Sequence, residues 1–306
     1  MREIKMKRLL TCFVFTVCLL SGLSYPVPVI GDTSGQFVFE YKLGGQVKKI
    51  PVYYAAPKTL TKGSRIVFVL HGAARVGKGY RDEWQQYAVK YNFLVLCPEF
   101  SEVEFPGVWK YNYGNIYDSD TNKFTPRNEW AFNVIEGLFD FVRQDRQMEV
   151  EAYCIFGHSA GAQFVHRMVL LMPDARFSLA IANGAGDYTE PTFDKEFSDG
   201  LKLTEATEET LKKAFKKQMV ILMGDKDLVS KTMPKTPEAF DQYDRVWKAR
   251  LFFACAKAES AKRQTPLNWT LRYVPGADHN DPKHAEFGSR LAAQSKKRLV
   301  DDPNAF

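Results

Sequence analysis

Cysteine is scarce in this chain: there are five in 306 residues, and Cys12 and Cys18 fall at the very start. The other three, Cys97, Cys154 and Cys255, are an odd number, with no CxxC pair and no Cys/His spacing between them. A disulfide-built scaffold and a structural zinc site are therefore not expected. Cys97 and Cys154 lie in apolar runs and read as small buried hydrophobes. A strong charge of one sign is also missing. The formal net charge is +6, and residues 1–24 hold four basic side chains and one acidic, so the rest carries +3. That bias is too weak to argue for nucleic acid. Lys212, Lys213, Lys216 and Lys217 read as one solvated helix face. Internal repeats, low-complexity tracts and linkers are absent, so residues 25–306 read as a single domain.

What is present begins at the N-terminus. Arg2, Lys5, Lys7 and Arg8 precede the apolar stretch 9–20, and Gly22 and Ser24 follow as small residues. Basic start, short apolar core and small residues make an export signal, cut after Ser24. The expected location is secreted or periplasmic, with no stable membrane insertion after cleavage. The alternative is an uncleaved anchor running on to Ile30.

Beyond it, strand and helix patterns alternate. Residues 36–43 and 46–57 flank Gly44-Gly45 and read as a β-hairpin. Apolar strands are expected at 65–72, 93–100, 152–156, 179–184, 219–224 and 269–276. Helices are expected near 80–91, 128–143, 160–172, 204–217, 237–261 and 283–299. This order implies an α/β fold: a mostly parallel sheet covered on both faces, with an antiparallel hairpin at one edge. Residues 101–128 lack periodicity but carry Trp109, Tyr111, Tyr113, Tyr117 and Phe124. They read as a long aromatic loop or lid.

One turn stands out. GHSAG (157–161) follows the strand AYCIF and precedes a helical pattern carrying Phe164, Met168 and Leu171. Glycines at 157 and 161 allow a tight strand–turn–helix in which Ser159 sits in strained backbone, its Oγ lifted above the sheet's carboxyl edge. A serine so placed reads as a nucleophile, and it needs a base. His279, in the loop after the last strand, is favoured, with His284 the competitor. His158 lies inside the turn and points elsewhere, and His166 reads as a packed or surface residue. The base needs an acid to fix its tautomer. GDKD (224–227) offers Asp227, the favoured choice, and Asp225, which reads as structuring the turn. Two N–H donors for an oxyanion are expected from Ala160 and from Ala73, the latter in the loop after the first parallel strand.

GAARVGKG (72–79) imitates a phosphate-binding loop, but Gly79 stands where a magnesium-binding Ser or Thr is needed. Arg75 and Lys78 read instead as rim or solvent-facing residues. No metal or organic cofactor is implied.

The set LHGAA, GHSAG, GDKD and PGADH, in this order over about residues 36–299, resembles the α/β-hydrolase family. In style it is similar to secreted esterases of the polyhydroxybutyrate-depolymerase and feruloyl-esterase type. The segments WKYNYGN (109–115) and ANGAGDYTEP (182–191) add to the likeness, and the lack of paired cysteines departs from it. The resemblance implies the α/β-hydrolase fold, a triad of Ser159, Asp227 and His279, and a serine esterase working on small or polymeric esters through an acyl-enzyme. Trp109, Tyr111, Tyr113 and Tyr188 are candidates for a substrate pocket. A serine peptidase with the same triad and a non-catalytic binding protein on the same fold are the alternatives.

Overall fold

The computed structural model describes residues 29–228 and 245–295. The segment read as an export signal and residues 237–244 of one expected helix lie outside the described residues, as do 296–299 of the last.

The chain opens with strands β1 (Gly35–Leu43) and β2 (Gln46–Ala55), paired antiparallel around Gly44-Gly45. Next come β3 (Arg65–Leu70), α1 (Gly77–Tyr91) and β4 (Phe93–Pro98). A folded excursion follows: α2 (Gly107–Lys110), then the short pair β5 (Tyr117–Asp118) and β6 (Lys123–Phe124). The remaining elements are α3 (Phe132–Asp145), β7 (Tyr153–His158), α4 (Ala160–Leu171), β8 (Phe177–Asn183), α5 (Glu208–Lys216), β9 (Met219–Gly224), α6 (Arg245–Lys262), β10 (Trp269–Val274) and α7 (Lys283–Gln294).

Eight strands form one sheet in the order β1-β2-β4-β3-β7-β8-β9-β10. The run from β4 to β10 is parallel, and the opening hairpin adds the antiparallel edge. Alternation within each central strand feeds two cores. Ile66, Phe68 and Leu70 of β3 pack on one face with Phe164 and Phe132, while Val67 and Val69 pack on the other with Trp84 of α1 and Leu291 of α7. Strands covered on both faces must be apolar throughout, which is why β4, β7 and β9 are buried at every residue. Each such large side chain contributes roughly 2 kcal/mol by leaving water.

Several boundaries differ from expectation, among them that of the helix expected from residue 204, which begins at Glu208 after the Thr207 cap. The helix expected from residue 128 begins at Phe132, because Arg127–Glu129 form a 3-10 turn and Trp130 is extended. Helix α1 begins at Gly77, inside the phosphate-loop look-alike. There Glu99 accepts the Gly77 N–H at 2.8 Å, so a carboxylate caps the helix start where a phosphate would sit.

Strand β3 has β4 on one side and β7 on the other. The chain order reverses there, which opens a crevice at the carboxyl ends of the strands. The loops after β3 and β7 flank it.

Candidate active site

Ser159 joins β7 to α4 with φ 54° and ψ −111°, in the left-handed region that costs a non-glycine residue. Its neighbours make that conformation possible. A Cβ on residue 161 would stand 2.6 Å from the Leu70 carbonyl oxygen, and one on residue 157 would run into the carbonyl of Gly161. Both contacts are backbone, so neither can yield. The Ser159 N–H is tied to the Asn183 carbonyl at 2.9 Å. The turn is therefore held by strands β3 and β8 on either side.

The structure brings Ser159, His279 and Asp227 together. His279 Nε2 lies 3.1 Å from Ser159 Oγ, and its Nδ1 lies 2.7 Å from Asp227 Oδ2. Gly184 gives the imidazole its room: a Cβ there would press on the ring at 3.3 Å. Asp227 is buried, which alone would push its carboxyl up. The hydrogen bond from His279 and the charge of Arg245 outweigh burial and hold it below the usual carboxylate range. Asp225 takes a different position. It accepts the Gly276 N–H at 2.7 Å and so ties the β9 turn to the β10 turn that carries His279.

Each of the other histidines has at least one ring nitrogen bonded within the framework. His284 Nε2 donates to the Asp278 carbonyl at 2.7 Å, away from Ser159. His158 accepts from Asn183 at 2.8 Å, with its ring 4.8 Å from that of His279. His166 bridges the Ala162 carbonyl and the Thr189 N–H inside the core. His71 bonds the Gly72 carbonyl and the Phe100 N–H. Burial drives all four toward the neutral form, His71 to about 4 and His158 to about 3.

Ala160 is the first residue of α4, so its N–H has no partner within the helix. Ala73 lies exposed just past β3, in a loop set against Ser159: a Cβ on Gly72 would touch the serine Cβ at 3.5 Å. Tyr80 accepts the Gly72 N–H at 3.1 Å, and Tyr111 donates to the His71 carbonyl at 2.8 Å. The loop is thus braced from both sides.

Trp109 and Tyr113 are half-buried, with ring centroids 4.5 Å apart, and Phe197 closes the cluster 5.9 Å from Tyr113. Tyr111 and Tyr188 do not fit the pocket-wall expectation. Tyr111 is fully buried against Phe100 and Phe164, and Tyr188 stacks on Phe252 within the core. Arg75 also departs from its expected place at the rim. It is buried, stacked 4.3 Å from the Tyr111 ring centre, and bonded to the carbonyls of Phe100 and Gly107. Arg167 and Arg245 carry no motif, because each matters through a partner remote in sequence. Among the described residues, no group of three or more His, Cys, Asp or Glu side chains is arranged to hold a metal ion.

A hydroxyl, an imidazole and a carboxylate in hydrogen-bonded series, beside a free helix N-terminus, is the arrangement of a serine hydrolase. No protein-family model matches the sequence, and no curated protein matches it. Solved structures do. Poly(aspartic acid) hydrolase-1 from Sphingomonas sp. KT-1 is 37% identical over 86% of this chain and 99% of its own, with a TM-score of 0.79. A poly(3-hydroxybutyrate) depolymerase from Bordetella parapertussis is 29% identical over 88% of this chain and 93% of its own, with a TM-score of 0.77. An S-formylglutathione hydrolase from Agrobacterium tumefaciens shares the fold at 17% identity, covering 89% of this chain and 98% of its own, with a TM-score of 0.53. The chain belongs to the α/β-hydrolase family and carries the residues of a serine hydrolase.

Proposed function

We propose that this protein is an esterase, cleaving carboxylic esters through an acyl-enzyme made at Ser159. His279 removes the Ser159 proton as Oγ attacks the acyl carbon, and Asp227 holds the imidazolium that forms. The N–H groups of Ala73 and Ala160 receive the oxyanion. His279 then protonates the leaving alcohol, and water repeats the sequence on the acyl-enzyme. The observation that carries this reading is the hydrogen-bonded series Ser159–His279–Asp227, at 3.1 and 2.7 Å, on the rim of the crevice.

The substrate is a small or polymeric ester, and the likeness to a polyester depolymerase supports the second. Trp109 and Tyr113 supply an aromatic wall for it. Residues 1–24 act as a cleaved export signal, and 25–306 form one domain that works outside the cytoplasm. Among the described residues no helix is long and apolar enough to cross a membrane.

Amide cleavage is a second reading, favoured by the relative named for hydrolysing poly(aspartic acid). Poly(amino acids) are joined by amides, and the same triad attacks either bond. Matched aryl esters and aryl amides separate the two. The ester reading expects a burst of phenol equal to the enzyme concentration, then slow turnover, with both absent in Ser159→Ala. Faster amide than ester turnover supports the second reading, and no turnover of either would leave a binding protein.

A further inference from the structure

Asp227 has two carboxylate oxygens, and both are engaged. Oδ2 receives Nδ1–H of His279 at 2.7 Å. Oδ1 receives a guanidinium N–H of Arg245, the first residue of α6, at 2.8 Å. The carboxylate is 1% exposed and the guanidinium 14%, so water screens the pair little. A buried carboxylate whose sole partner is an imidazole favours the imidazolium strongly, and a protonated histidine cannot take a proton from serine. A cation on the far oxygen works against this. It keeps Asp227 ionised, so the Nδ1–H tautomer stays fixed, while it draws charge away from the ring.

We propose that Arg245 is a positioning residue that acts through Asp227 to keep His279 neutral, and so ready as a base, at neutral pH. This rests on the triad reading given above.

Other titratable groups face the same imidazole. His158 comes from the end of β7, 4.8 Å away between centroids, and His284 from α7 lies 5.9 Å from His158. Glu83 of α1 and Asp281 line a cavity of about 90 Å³ with these three rings. Burial keeps His158 and His284 uncharged near neutrality. Glu83 is different: burial pushes its carboxyl up to about 7, so its charge changes in the range where a catalytic histidine titrates. The test therefore compares Arg245 variants in a Glu83→Gln background as well as in the unaltered protein.

The full-length protein, Arg245→Met and Arg245→Lys are titrated by NMR of the His279 ring, and kcat/KM for an aryl ester is measured against pH. Loss of the guanidinium should raise both the His279 pKa and the acid limb of kcat/KM by about one pH unit, the scale of a close charge pair. Activity should then recover at alkaline pH, and Arg245→Lys should restore at least half of the shift. An unmoved His279 pKa in folded Arg245→Met overturns the proposal, as does an equal loss of activity at every pH. If Arg245→Met does not fold, Arg245→Lys and Arg245→Gln are compared by the same titration. The ring titration needs no turnover. A shifted pKa in a protein that hydrolyses nothing sinks the esterase mechanism and leaves the coupling standing. Normal turnover with an unshifted pKa does the reverse.

Discussion

The turn at Ser159 and the aromatic excursion at 101–128 border the same crevice, yet they are held by opposite means. The turn is held by what its residues lack. Gly157 and Gly161 leave no side chain between β7, α4 and the β3 carbonyls, so backbone closes on backbone. The excursion is held by large side chains reaching in from elsewhere. Arg75 clamps Phe100, Gly107 and Tyr111 from the β3 loop, while Arg167 of α4 sits 3.8 Å over the Tyr113 ring and bonds Thr189 and the Asn112 carbonyl. Close backbone packing positions a reacting atom tightly and tolerates no added atom. Side-chain clamps hold a surface that can be recut without disturbing the hydroxyl.

Four substitutions press on that contrast. Gly157→Ala should do the most damage, since the new methyl meets the Gly161 carbonyl. A loss of about 3 kcal/mol or more in unfolding free energy, or a fall of ~100-fold in ester hydrolysis, is expected. Denaturant melts and initial rates report it, and near-normal values would show that the turn has slack.

Arg167→Met should cost about 2–3 kcal/mol, because it removes a fully buried guanidinium and orphans its oxygen partners. Limited proteolysis should open the 101–128 region, while turnover of a small ester by the folded fraction stays within ~3-fold. Equal loss in both would tie the clamp to the triad.

Glu83→Gln probes the cavity beneath the turn, and its effect depends on pH. Burial raises the folded-state pKa of Glu83 from 4.5 to about 7. Between those values the folded protein holds a proton that the unfolded chain has released, so stability falls as pH rises through this window. The amide variant escapes that loss. Relative to the unaltered protein it should gain about 1–2 kcal/mol at pH 8 and nothing at pH 4. A difference in thermal unfolding that is the same at both pH values would contradict the assignment.

Trp109→Ala should have the smallest effect. The ring is half-buried at the surface of the cluster, so kcat/KM for an acetyl ester should change less than ~2-fold, while a bulky or polymeric ester loses about 5–10-fold through KM. A uniform loss across substrates would make Trp109 a structural support and not a wall.

The same contrast explains what was legible in the sequence. Parallel strands buried on both faces announce themselves as apolar runs, and β9 falls where the run 219–224 does. The turn at Ser159 is local chemistry, five residues wide, so its glycines can be read directly. Asp227 and His279 are legible from their places after β9 and β10. The excursion is not legible in this way. How deeply its rings are buried depends on Arg75 and Arg167, separated from it by tens of residues, so Tyr111 reads like Tyr113 although one is core and the other half-buried. Arg75 itself lies between Ala74 and Val76 in a short glycine-containing loop, and nothing local marks it for burial. Arg245 likewise has no local sign; its meaning comes from Asp227 across the fold.

The central claim is that the Ser159 hydroxyl is activated by His279, and covalent trapping tests it most directly. The protein is treated with a fluorophosphonate at neutral pH, digested, and the modified residue located by mass spectrometry. The account predicts stoichiometric phosphonylation of Ser159, none in Ser159→Ala, and labelling slowed by ~100-fold or more in His279→Ala. Unmodified Ser159 in the folded wild-type protein, or labelling that proceeds at the same rate without His279, would contradict it.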